Sequence, residues 1–161
     1  MTASFISRLK EHWAHLELAH APGATNAEIT AFEQRYGVRL SEDLRGYFRE
    51  LNGLDIGHEG AMDLDLISFW RLDQVEQGKG ENSDIFYFAD WSIDACYYGI
   101  QLSPHFNSTT PVFLDCGGFD KRSDLVKVAS SFAEFVEGYL RKDEFVLYGK
   151  TTDQPAQRPP A

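Results

Sequence analysis

The sequence predicts an α+β domain with N-terminal helices, a central antiparallel β-sheet and a C-terminal helix packed on that sheet. Three observations carry the prediction. Apolar residues recur at helical spacing through the first fifty positions, with cap and stop residues at the breaks. Between residues 67 and 128, short runs rich in β-branched and aromatic residues follow one another with no helical period between them, which favours antiparallel pairing over parallel crossover units. A helical apolar stripe then returns from Phe132.

Phe5, Leu9, Trp13 and Leu16 give an amphipathic first helix that ends before Pro22-Gly23. Thr25 and Glu28 have the capping-box spacing, in which hydroxyl and carboxylate each satisfy a backbone donor, and Ile29, Phe32 and Tyr36 follow on one face. Gly37 is the expected stop, because glycine takes the left-handed conformation past a helix end without a Cβ clash. Ser41 is expected to cap the next helix, with Glu42 and Asp43 favourably placed against the helix dipole and Leu44, Tyr47, Phe48 and Leu51 as its buried stripe. Asn52 and Gly53 tolerate positive φ and end it.

A strand is expected over 67–72, then further strands over 85–88, 97–102, 112–114 and 125–128, with Trp91 in a loop between two of them. Ser131 and Glu134 form a second capping box ahead of Phe132, Phe135, Val136, Tyr139 and Leu140. Phe32, Leu40, Leu44, Phe48, Leu51, Phe132, Phe135 and Val136 are the expected core. From Lys150 the chain reads KTTDQPAQRPPA, with nothing to bury, so the expected organisation is one domain over 1–149 and a disordered tail over 150–161.

Phe32-Glu33, Gly37, Leu40, Leu44 and Asn52-Gly53 resemble the start of the Smi1/Knr4 family, or SUKH superfamily: a helix with Phe-Glu, then Leu-Pro-x-x-Leu, then a helix ending Asn-Gly. Ser41 departs from that pattern, standing where the family has proline. A serine cap and a first-turn proline both deal with unpaired N-terminal donors, so the expected fold is unchanged. The stretches 85–102, 111–115 and 131–140 resemble the family's later strands and last helix.

The resemblance implies two functions. Bacterial relatives are immunity proteins that bind and neutralise polymorphic toxins, many of them nucleases. Fungal relatives are intracellular scaffold or regulatory modules in cell-wall signalling. The immunity function is the one expected here, because the chain carries no long arms flanking its core.

Composition narrows the partners. With 161 residues and a formal charge of −10, the chain lacks the clustered lysine and arginine that nucleic acid or an anionic membrane requires, whereas a basic protein such as a cognate toxin is a natural complement. No signal peptide or membrane span is visible, so the cytoplasm is the expected location and Cys96 and Cys116 are expected to be reduced.

No metal or other cofactor is expected. His12 and His15 sit at helical spacing, but without a third ligand at metal spacing they read as a polar face. His58-Glu59 lacks the second histidine of a zinc-protease motif, and Gly78-Lys79-Gly80 lacks the ending of a phosphate loop. With no nucleophile elbow and no histidine near either cysteine in sequence, the chain is expected not to be an enzyme.

Most of the negative charge lies between Asn52 and Cys96, interleaved with aromatic residues. Acid steers a basic protein at long range and desolvated rings anchor it. The candidate contact residues are Asp55, Glu59, Asp63, Asp65, Glu81, Asp84, Asp90, Trp91 and Asp94. The competing expectation for each is a solvated acid or a core ring.

Overall fold

The computed structural model describes residues 4–55, 62–63, 65–91 and 95–149. It contains helices α1 (Phe5–His15), α2 (Asn26–Tyr36) and α3 (Glu42–Glu50), strands β1 (Ile67–Phe69), β2 (Glu76–Gln77), β3 (Ile85–Trp91), β4 (Cys96–Gln101), β5 (Val112–Asp115) and β6 (Leu125–Ala129), then helices α4 (Phe132–Leu140) and α5 (Glu144–Tyr148). Every strand pairing is antiparallel, in the order β1-β3-β4-β5-β6, and β2 also pairs with β3. The fold is the α+β arrangement expected from the sequence. Glu59, Asp94 and the tail over 150–161 lie outside the described residues.

Local chemistry sets most helix ends. Thr25 accepts the Glu28 N–H at 3.1 Å while the Glu28 carboxylate accepts the Thr25 N–H at 2.9 Å, and Gly37 closes the helix with φ 66°. Asn52 and Gly53 take φ of 52° and 76°. Ser41 differs from expectation: its hydroxyl donates to Asp43 Oδ1 at 2.6 Å and caps no N–H. Asp43 does the capping in its place, since Oδ1 accepts the Leu44 N–H at 2.9 Å and Oδ2 accepts the Ala133 N–H at 3.0 Å, which ties α3 to the start of α4. Ser131 accepts the Glu134 N–H at 3.0 Å, as its spacing predicts.

Glu33 of the Phe-Glu pair is 9% exposed and holds the α2–α3 corner. It accepts the Leu40 N–H at 2.9 Å and Arg45 Nη2 at 2.7 Å, with Arg39 Nε at 3.3 Å. A buried carboxylate is stable only when paired and hydrogen-bonded in this way.

The core lies between the helices and one face of the sheet. Phe69, Phe88 and Tyr98 meet Tyr47, Phe132 and Phe135 there, and all eight residues expected in the core are buried. β3 lies between β1 and β4 and carries a bulge between Tyr87 and Ala89; Phe86 and Phe88 face the helices while Tyr87 stacks on Phe119 on the opposite face. A Cβ at Gly99 would come within 2.5 Å of Ile85 Cγ2, so only glycine fits beside β3 there.

Three more expectations need correcting, and one element was not expected. Trp91 ends β3 instead of standing in a loop, because it pairs with Ile67 and Cys96. The strand expected over 67–72 stops at Phe69, since Leu72–Gln74 turns into a 3-10 helix whose Leu72 N–H is taken by Asn52 Oδ1 at 2.8 Å. α5 was not foreseen, although Asp143 caps it and Gly149 stops it at φ 66°. Cys96 and Cys116 are joined in a disulfide with Cα atoms 4.2 Å apart, because the β4–β5 register sets Tyr97 against Asp115 and the cysteines next to them. The expectation of free thiols rests on the lack of an uninterrupted apolar run among the first twenty residues, which carries no information on register. Among the described residues, no helix is long and apolar enough to cross a membrane.

Candidate partner-binding surface

The candidate residues do not converge on one patch. Ile85 and Trp91 mark opposite ends of β3, which at about 3.3 Å per residue puts roughly 20 Å between them. Glu81 and Asp84 belong to the Ile85 end. There Arg122 engages both: its N–H donates to Glu81 Oε2 at 2.9 Å, its Nη2 to the Glu81 carbonyl at 2.6 Å, and its guanidinium pairs with Asp84. Gln101 Nε2 also donates to Asp84 at 2.7 Å. Burial alone would raise the Asp84 pKa, but the bonds from Gln101 and Arg122 together outweigh it and hold the carboxyl below its ordinary value.

Asp90 is 8% exposed and accepts Trp70 Nε1 at 2.6 Å, so this acid is spent within the fold. Asp55 is half-buried near the end of α1, with its N–H on the Ala19 carbonyl at 2.9 Å.

The Trp91 end is different. Asp65 is half-exposed and lies 3.6 Å from Lys142 Nζ. Trp91 packs on Tyr148 of α5 with ring centroids 5.0 Å apart. Burial pushes the Tyr148 phenol above its ordinary pKa, and the carboxylates of Asp65, Asp63 and Glu144 push it further the same way. An aromatic pair thus stands in a field made by acids from two separate parts of the chain.

Asp63, expected as a contact, is 6% exposed and acts as a scaffold. Its Oδ1 accepts the N–H groups of Asp65 at 2.8 Å and Ile67 at 2.9 Å, and its Oδ2 accepts the Tyr139 hydroxyl. Sequence reasoning missed Leu66 and Phe145, which are 43% and 41% exposed at this end of the molecule. Apolar residues carry no sequence mark that separates a surface role from a core role. The nearest available signal was the Asp143 cap and Gly149 stop, which define a helix whose first turn holds Phe145.

Among the described residues no group of three or more histidine, cysteine or carboxylate side chains is placed to hold a metal. The His12 ring stands edge-on to Tyr139 at 5.5 Å, so this histidine packs against the core instead of lying on a solvated face.

The model of the SMI1/KNR4 family, SUKH-1, matches residues 23–138. The chain belongs to the SMI1/KNR4 family. Comparison with curated proteins gives no match. The SMI1/KNR4 match takes in the corner from α2 to α3, the whole sheet and nearly all of α4. Asp65, Leu66 and Trp91 lie inside it, whereas α5, with Phe145 and Tyr148, lies beyond it.

Proposed function

We propose that this SMI1/KNR4 protein is an immunity protein that binds a cognate bacterial toxin and neutralises it by steric and electrostatic block. The observation that supports the proposal best is the Trp91 end of the sheet, where the Trp91–Tyr148 pair lies beside Asp65 and Glu144. Acid beside partly exposed rings suits a basic protein, because charge speeds the encounter and the rings supply contact energy after docking. A nuclease is one toxin class of that charge, since its substrate-binding surface must attract phosphate. Occlusion requires no bond to be made or broken by this chain.

Cytoplasmic residence belongs to the same proposal. The Cys96–Cys116 disulfide weighs against it, because such bonds persist mainly in oxidising compartments. The test of function is co-expression with a toxin domain, sought among the products of the genes that neighbour the one for this chain. Survival of cells that make both, and death of cells that make the toxin domain alone, supports immunity. Equal death in both overturns it.

A further inference from the structure

We infer that Leu66 is the apolar anchor of the partner interface, seated at the Trp91 end of the sheet and fitted to an apolar pocket on a basic protein. The inference rests on the immunity proposal for the identity of that protein.

The backbone supplies the first argument. Leu66 has φ 63°, in the left-handed region that disfavours every side chain with a Cβ and is normally left to glycine or asparagine. Nothing in leucine promotes this conformation, so the surroundings impose it. Asp63 does so: its carbonyl accepts the Leu66 N–H at 3.1 Å, its N–H donates to the Ile67 carbonyl at 3.0 Å, and its Oδ1 holds Asp65 and Ile67. The Tyr139 hydroxyl fixes the other carboxylate oxygen from α4. A buried carboxylate and a buried phenol are thus committed to a turn that holds a leucine out in water.

The folded chain covers only part of that leucine. Leu66 is 43% exposed, and glycine would adopt the same φ without a clash. Strain of this kind, fixed by its neighbours and coupled to an exposed apolar side chain, points to a role outside the fold.

Its surroundings specify the partner. Ile67, the next residue, pairs with Trp91, and Trp91 packs on Tyr148. Phe145 lies one helical turn before Tyr148 on α5 and is 41% exposed, so it shares that face. At the surface there, Asp65, Asp143 and Glu144 outnumber Arg141 and Lys142, with Lys142 paired to Asp65 and Arg141 to Asp143. An apolar centre with an acidic surround complements a cationic surface that contains an apolar recess.

The experiment measures binding kinetics of the toxin domain that the co-expression test identifies against wild type, Leu66→Gly, Phe145→Ser and the control Phe106→Ser, with a thermal melt of each. Phe106 is 53% exposed, so it matches the anchor residues in exposure. Leu66→Gly should melt near the wild-type temperature while dissociating about 10-fold faster or more, and Phe145→Ser should dissociate faster as well. Phe106→Ser should bind like wild type. A Leu66→Gly variant that binds like wild type overturns the inference and leaves the immunity proposal standing, as does an equal loss from Phe106→Ser. Wild type that fails to bind the domain overturns both.

Discussion

Asp63 belongs to the interior although its charge suggests the surface. Its carboxylate receives two backbone N–H groups and a phenol while only 6% exposed, so removing it strands three donors. Asp63→Ala should therefore cost about 3 kcal/mol in urea unfolding, with Asp63→Asn costing less because one carbonyl acceptor remains. His12 makes a second case. Burial lowers its pKa below 6.5; Lys142 and His15 act the same way, while Asp63 and Asp65 oppose them. A base with a depressed pKa in the folded state binds its proton more readily when unfolded. The stability from neutral His12 is therefore complete above about pH 6.5 and is lost as pH falls toward the folded value. Melting temperature should drop between pH 7 and pH 5, and His12→Gln should flatten that drop. Residue depth was the least legible property in the sequence: Asp63 and Asp65 differ by two positions and share a side chain, yet one is scaffold and the other half-exposed.

Elements whose ends are set by their own neighbours could be read directly. Thr25 with Glu28, Gly37, Asn52-Gly53 and Ser131 with Glu134 each act within four residues, so sequence contains the whole interaction. Elements that depend on distant partners could not be read in the same way. The 3-10 turn at Leu72 answers to Asn52, the cap on Ala133 comes from Asp43, and the pairing of Cys96 with Cys116 follows from the β4–β5 register. That disulfide joins residues 20 apart, and closing a loop of this length stabilises a fold by about 3 kcal/mol. Reducing agent should lower the melting temperature of wild type and leave a Cys96→Ser/Cys116→Ser double variant unmoved. Intact mass after alkylation, on protein produced in a bacterial cytoplasm, would show whether the bond forms in that compartment; two alkyl groups per chain would mean that it does not.

Under the proposed function, the charge of the whole molecule sets how fast a basic partner arrives. At −10, long-range attraction should raise the association rate 10-fold or more at low ionic strength. Added salt should slow association steeply and leave dissociation almost unchanged, as the screening length shortens to about 8 Å. Stopped-flow mixing with the toxin domain at two salt concentrations checks this. Asp65→Lys with Glu144→Lys should weaken the salt dependence, and equal dependence in both proteins would place the steering charge elsewhere.

The sheet also bears on how this protein behaves alone. Along the side of β3 away from β4, β1 runs for only three residues and β2 for two, with the 3-10 turn at Leu72–Gln74 between them. A foreign strand needs a continuous row of about five backbone groups to add itself, and this border is interrupted before such a row can form. Copies of the chain that meet along it find no template for stacking into fibres.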